Sequence, residues 1–535
     1  MNDAASGSDA HPRHRALEMP HTLRYLGRMR DDRTFRVVIL ALTIGILGGF
    51  AGIALRLLLS FFHELFFVHA ASLLSFLGPY YVLILPSVGG LIVGFMVVFL
   101  AREARGAGVS DVVLAVLFRG SRMRPRVAGV KVVATSVVIG SGGSGGIEGP
   151  IIQIGSAIGS SVGQWLKFTE EDTRIALASG AAAGIAATFN TPLAGVFFAL
   201  EVILIDFSSR SFGMVVMSSV AANVVARLTL GNDPIFVVPQ YAMVHPGELL
   251  LYLLLGGAAA VVGVAFTTCL DHVEAVFANW KFPDYLKPAL GGFIVGVIGL
   301  FLPQVFGLGY ETINDAAAGR LPFVLLVALV VAKLVATSVT VGSGASGGVI
   351  GPSLYLGGML GGATGILFNT VFPQGTAPSG AYAMVGMAAV FSATAHAPMT
   401  AIFTLFELTN DYKIMLPLMV SCVTSAYLAY RITPHTIYSV GLIRRGIDVQ
   451  KGRVSLPLQP GTIFLDLLVS HHSPVAGKRV KDLDLPTDCI LVSVRRRSHS
   501  LIPRGNTLIK QGDRVVIVST PENEELLRSL IEVAP

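Results

Sequence analysis

The chain has 535 residues, of which 53% are hydrophobic and only 13% charged, and its mean hydropathy is +0.69. Soluble proteins carry about 25% charged residues, so the composition excludes an ordinary soluble enzyme and indicates a membrane protein. Charge is also unevenly placed, with 21 charged residues in 451–535 against 51 in the first 450. A long membrane body is therefore followed by a small soluble tail. A net charge of +6 is small for this length, and the basic residues flank apolar segments, which argues against nucleic acid as a partner.

Residues 1–35 are polar and contain no apolar stretch of signal-peptide type, so they read as a cytoplasmic N-terminal tail. Arg24, Arg28, Arg30, Arg33 and Arg36 precede the first apolar run at 37–62 and hold that end in the cytoplasm by the positive-inside rule. The membrane body is expected over 36–445, with room for about a dozen hydrophobic segments. Arg119, Arg122, Arg124, Arg126 and Lys131 mark a further cytoplasmic loop. A linker at 446–464 and a tail domain at 465–535 follow, and a cytoplasmic tail makes the number of crossings even. Cys269, Cys422 and Cys489 show no CxxC or metal-ligand spacing, so neither a disulfide framework nor a metal or cofactor site is expected.

The strongest signal is an internal repeat. Residues 131–150 read KVVATSVVIGSGGSGGIEGP and residues 333–352 read KLVATSVTVGSGASGGVIGP, an offset of 202. A second pair, GAAAGIAATFNTPLAGVFFALE at 180–201 and GMAAVFSATAHAPMTAIFTLFE at 386–407, continues the match. The body thus consists of two homologous halves, roughly 36–230 and 245–445. Glycine-interrupted hydrophobic segments at matching positions point to a transport site between repeats, built from broken helices. Unpaired N–H groups and the positive dipole end at such helix starts favour an anion. The alternative is that the glycines only allow close helix packing.

Within that frame Glu148 lies amid apolar residues, and the second half has Ile350 at the equivalent place. A carboxylate at membrane depth is costly unless paired or wet, and so marks function. It would compete with an anion while ionised and withdraw when protonated, the behaviour of a gate. Glu201 and Glu407 are matched between halves, which favours a hydrogen-bonding or capping role over a proton path. Lys131 and Lys333, also matched, read as helix-start or interface residues.

These residues resemble the CLC family of chloride channels and chloride/proton antiporters over roughly 35–445. GIEGP at 146–150 is similar to the family's gating-glutamate motif, GGVIGP at 347–352 to its GxFxP motif, GAGVSD at 106–111 to its GSGIP motif, and TIYSV at 436–440 to the start of its last membrane helix. The resemblance implies an all-α polytopic body of two inverted repeats with broken helices, and a homodimer with one anion pathway per subunit. It implies a gate at Glu148 within the Gly146, Ile147, Gly149 turn. Chloride would bind among Gly106, Ala107, Gly108 and Val109, the backbone of Gly348, Val349 and Ile350, and the Tyr438 hydroxyl. Three departures stand out: Ala107 replaces the usual serine, Ile350 the usual phenylalanine, and Val202 the internal glutamate of many proton-coupled members. A valine carries no proton, so the sequence leans toward a passive channel, with chloride/proton antiport through Glu201 or water as the alternative.

The tail contains β-branched strand-length runs at 461–470 and 489–494 and a terminal helix in PENEELLRSLIEV, a small α+β module. Its GKRVKDLDLP and LIPRGNTLIKQGDRVVIVST stretches resemble the C-terminal regulator-of-potassium-conductance (TrkA-C) module, and point to a bacterial source. The resemblance admits a small-molecule or cyclic dinucleotide ligand, for which Arg495, Arg496 and Arg497 are the candidates, a solvated basic face being the alternative. His471 and His472 read as surface residues. Two further classes are weighed and set aside. An intramembrane serine hydrolase would use Ser141 or Ser144, but the repeat duplicates both serines, and a cation transporter would need several buried acids, which the body lacks.

Overall fold

The computed structural model describes residues 33–231, 236, 243–444, 446–448, 453–454, 463–470, 473–483, 485–486, 489–496, 499–501, 503 and 505–532. Arg24, Arg28, Arg30, His471, His472 and Arg497 lie outside the described residues, as do the side chains of Arg33 and Arg36. The chain divides into two compact units, Met1–Arg444 and Arg445–Pro535.

The first unit is helical. Its first half contains α1 (Arg33–Glu64), α2 (Tyr81–Phe99), α3 (Val109–Phe118), α4 (Arg126–Gly140), α5 (Glu148–Trp165), α6 (Glu170–Phe189), α7 (Pro192–Phe198, extended by a π turn Ala199–Leu204) and α8 (Ser209–Leu230). The second half contains α9 (Leu249–Asn279), α10 (Lys287–Phe301), α11 (Tyr310–Ala317), α12 (Phe323–Gly342), α13 (Ile350–Val371), α14 (Ser379–Ala395), α15 (Pro398–Thr409), α16 (Met415–Ile432) and α17 (Val440–Arg444). Among the described residues, seven helices are long and apolar enough to cross a membrane. Their outward positions, such as Phe50, Leu57 and Val331, are exposed and apolar, as a lipid-facing surface requires.

The repeat seen in the sequence is built from the same local devices twice. Helices α5 and α6 cross at Gly155 and Gly180, where a Cβ on Gly155 would stand 2.0 Å from the Gly180 carbonyl oxygen. Helices α13 and α14 cross the same way at Gly357 and Gly386, with 2.1 Å for the matching approach. Only glycine permits backbones that close. Helix α6 then ends on Asn190 in the left-handed conformation (φ 58°) and the chain restarts at Pro192. Helix α14 ends on His396 (φ 52°) and restarts at Pro398. A left-handed residue stops a helix and a proline at its first turn starts one.

The halves meet along a pseudo-two-fold axis. Gly146 and Gly348, 202 positions apart, exchange backbone hydrogen bonds of 2.9 and 2.7 Å. The hydroxyls of Ser144 and Thr337 lie 3.0 Å apart and those of Thr135 and Ser346 2.9 Å, one pair being the repeat image of the other. All four hydroxyls are buried, and pairing across the axis satisfies each of them.

The second unit is α+β. A four-stranded antiparallel sheet has the order β3 (Ile463–Leu468), β6 (Arg514–Ser519), β4 (Ile490–Arg496), β5 (His499–Leu501). Strand β6 registers Ile517 against Leu465 on one side and Leu491 on the other. Leu465, Leu467, Val494, Val515 and Ile517 form one core with Leu527 and Ile531 of α18 (Glu524–Ile531). The stretch expected as a bare linker contains a short antiparallel ribbon, β1 (Ile447–Asp448) with β2 (Arg453–Val454). The central strand β6 is RVVIVS, a continuous β-branched run that follows a turn and is itself a strand signal.

Candidate functional site

Most helices of the first unit begin without a side-chain cap, and three of these starts are buried. The residues preceding them are Gly108 before α3, Ile147 before α5 and Val349 before α13. Val109, Ile147, Val349 and Ile350 are buried. The first N–H groups of a helix have no partner within it and carry the positive end of its dipole, so buried uncapped starts form an anion-binding arrangement. Gly108 reaches its φ of 89° because it lacks a side chain.

Packing brings these starts together. A Cβ at Gly149 would stand 2.3 Å from the Ala107 carbonyl oxygen and 3.2 Å from the Gly348 Cα. The Ser110 hydroxyl, in the first turn of α3, donates to the Tyr438 carbonyl at 2.7 Å, and the Tyr438 ring meets Phe198 edge-on at 6.2 Å. The stretches Gly106–Val109, Gly146–Gly149 and Gly348–Ile350 thus come from both halves and converge, and Ser110 ties Tyr438 to the first of them.

Glu148 is 4% exposed. Its Oε1 accepts a hydrogen bond from the Tyr310 hydroxyl at 3.4 Å, and its Oε2 has no hydrogen-bond partner among the described residues. A Cβ at Gly146 would stand 2.1 Å from Oε2, and one at Gly351 2.7 Å from Oε1. The carboxylate therefore lies against the starts of α5 and α13 together, where a bound anion would be favoured. Ionised, it is itself that anion; protonated, it has no charge for the helix dipoles to hold.

Lys131 and Lys333 are fully buried and sit inside α4 and α12, not at helix starts. Lys131 Nζ donates to the carbonyls of Ala104 (3.0 Å) and Gly106 (2.7 Å), and Lys333 Nζ to those of Val305 (3.0 Å) and Gly307 (2.9 Å). Each lysine fixes the glycine loop that leads into a short helix, α3 in one half and α11 in the other.

Glu201 accepts from the Met399 N–H (3.2 Å), the Thr400 N–H (2.8 Å) and the Thr400 hydroxyl (2.6 Å). Glu407 accepts from the Leu193 and Ala194 N–H groups at 2.9 and 2.8 Å. Each carboxylate caps the first turn of a helix in the opposite half, α15 and α7 respectively. Val202 follows Glu201 within the π turn and brings only an apolar side chain.

Arg495 and Arg496 of the tail do not form one patch. Strand alternation separates Arg495 from Arg496. Arg496 binds Asp513 through Nε (2.8 Å) and a terminal nitrogen (2.7 Å) and also donates to the Leu508 carbonyl. The hydrogen bonds to Asp513 hold the guanidinium above its ordinary range. Burial pushes the Asp513 carboxyl up, but the bonds from Arg496 and the Lys510 N–H outweigh it and hold it below the usual carboxylate range. Only Arg495 of the described pair is left facing outward.

Tyr310 is the site residue that sequence reading missed. Its signal was present, since GLGYET at 307–312 repeats GAGVSD at 106–111 with an offset of 201.

Comparison with known proteins assigns the family. Residues 89–430 match the family model for the voltage gated chloride channel, and residues 464–532 match the TrkA-C domain. The chain is 34% identical over 423 residues to an H(+)/Cl(-) exchange transporter ClcA of Vibrio parahaemolyticus, covering 77% of this chain and 90% of that protein. It is 32% identical over 370 residues to a putative chloride channel protein ClcB-like of Ralstonia nicotianae, covering 68% and 86%. Among solved structures it resembles a slow cyanobacterial Cl-/H+ antiporter, with a TM-score of 0.69, 26% identity, and coverage of 77% of this chain and 98% of that one. Exchangers among these relatives weigh against the passive-channel expectation drawn from Val202. By motif, fold and overall similarity, the chain belongs to the CLC family of voltage-gated chloride channels and chloride transporters, and carries a C-terminal TrkA-C domain.

Proposed function

We propose that this protein exchanges chloride for protons across the cell membrane, as a homodimer with one pathway per subunit and both termini in the cytoplasm. The observation that carries the reading is the Glu148 carboxylate, buried against the starts of two helices from opposite halves and in no ion pair among the described residues. Chloride and the ionised carboxylate compete for one set of N–H groups, so protonation of Glu148 and chloride entry are linked steps. The exchange transporter and the antiporter among the relatives support coupling.

With Val202 lacking an acid and Glu201 engaged as a helix cap, cytoplasmic protons reach Glu148 through water in this reading. That same pair of observations favours a second reading, a passive channel. Reconstitution into liposomes with a chloride gradient, the voltage clamped by valinomycin, separates them. Exchange drives protons uphill against the chloride flow and shifts the reversal potential with pH, whereas a channel reverses at the chloride equilibrium potential and moves no protons. Arg495 in the tail remains the proposed contact for an anionic small-molecule ligand.

A further inference from the structure

The two halves are near copies, so positions where they differ show what the asymmetry of the site requires. Glu148 in the first half is matched by Ile350 in the second. Tyr310 opens α11 after the loop Gly307–Leu308–Gly309, and its counterpart opening α3 after Gly106–Ala107–Gly108 is Val109. Both loops use left-handed glycines at the same places, φ 70° and 89° in the first and 58° and 76° in the second. The backbone device is duplicated, and the hydroxyl is not. The hydroxyl of Tyr310 and the carboxylate of Glu148 are hydrogen-bonded to each other, while the pseudo-symmetric mates of both residues are apolar.

The loop holding Tyr310 is braced from several sides. Lys333 donates to the Val305 and Gly307 carbonyls and stands 4.8 Å over the Tyr355 ring, and the Tyr355 hydroxyl donates to the Gln304 carbonyl at 3.3 Å. A Cβ at Gly309 would be 2.6 Å from that ring. Phe236 is buried and meets Tyr310 edge-on at 5.5 Å. We propose that Tyr310 is a positioning residue, a latch whose hydroxyl holds the ionised Glu148 carboxylate in the anion position and so sets how readily the gate opens. The latch rests on the reading of Glu148 as the gate. The other titratable groups acting on this pair are Arg56 of α1, Lys333 of α12 and Tyr438. None of these residues is replaced in Tyr310→Phe, Arg56 is linked to Tyr310 as well, and the Glu148→Gln background shows whether a change in the pH profile acts through the gate.

The test is chloride efflux from liposomes across a range of external pH for four proteins: the natural chain, Tyr310→Phe, Glu148→Gln and the double variant. Phenylalanine keeps the ring against Phe236 and removes one oxygen. Loss of a hydrogen bond of ordinary net strength changes an equilibrium about 5-fold, so Tyr310→Phe is expected to raise efflux about 5-fold near neutral pH. Its rise on acidification should also begin at a higher pH, with no change when the substitution is made in Glu148→Gln. Efflux unaltered by Tyr310→Phe, or altered equally in both backgrounds, overturns the latch while leaving the gate intact. If Glu148→Gln itself leaves efflux low in well-folded protein, the gate reading falls and the latch with it.

Discussion

Glu201 and Glu407 cap each other's halves: Glu201 binds the first-turn N–H groups of α15, and Glu407 those of α7. The pairing is reciprocal across the repeat, and Glu201 has one further bond, from the Thr400 hydroxyl. A hydrogen bond to a charged group contributes about 1.5–3 kcal/mol, and glutamine turns one acceptor oxygen into a donor facing other donors. Glu201→Gln and Glu407→Gln should therefore both lower the melting temperature of the purified protein, Glu201→Gln by more, with chloride flux per folded molecule kept within about 2-fold. Loss of proton coupling in Glu201→Gln at unchanged stability would place that acid on the proton path instead.

Lys131 prompts a different expectation. Lys131→Met removes the one side chain among the described residues that donates to the Ala104 and Gly106 carbonyls, leaving Gly106 only a 3.4 Å bond from the Gly347 N–H, and a buried acceptor left unpaired costs about 1–3 kcal/mol. Because Gly106 leads into the uncapped start of α3, the loss should show as weaker chloride binding in calorimetry, beyond reduced thermal stability. Lys333→Met should disturb the loop of Tyr310, and so the gate, more than it disturbs chloride affinity.

Ala107 bears on selectivity. Its side chain offers no donor at the uncapped start of α3, which is part of the proposed chloride site. Ala107→Ser adds a hydroxyl there, and a single added hydrogen bond of about 1 kcal/mol tightens binding about 5-fold. Calorimetric titration with chloride and with nitrate should show the larger gain for the smaller, more strongly hydrogen-bonded ion.

In the tail, Asp513 contributes stability that depends on pH with a definite sign. Its carboxyl is held below the ordinary value of about 3.9, so the contribution is complete above that value and is lost as pH falls through the lower folded one. Asp513→Asn should abolish this acid dependence and destabilise the tail at neutral pH, measured as protease cleavage within 463–532. A chain ending near residue 450 should still insert and move chloride, since each unit has its own core.

Much of this was readable from the chain. The repeat register, the glycine-rich helix starts and the asymmetric Glu148 all follow from local chemistry, which a sequence displays directly. What was not readable depends on contacts between distant segments. Lys131 looked like a helix-start residue because its loop carbonyl partners lie 25 and 27 positions away in sequence. Glu201 finds its N–H partners 198 and 199 positions on. Arg496 looked like part of a charged run until strand alternation turned it toward Asp513.

The central claim is that Glu148 links chloride to protons, and one measurement addresses it most directly. Liposomes containing the purified protein are given an outward chloride gradient with potassium and valinomycin clamping the voltage, while external pH is followed. The account predicts proton uptake into the vesicles as chloride leaves, external alkalinisation abolished in Glu148→Gln, and continuing chloride efflux in that variant. Chloride efflux with no proton movement in the natural chain would contradict it.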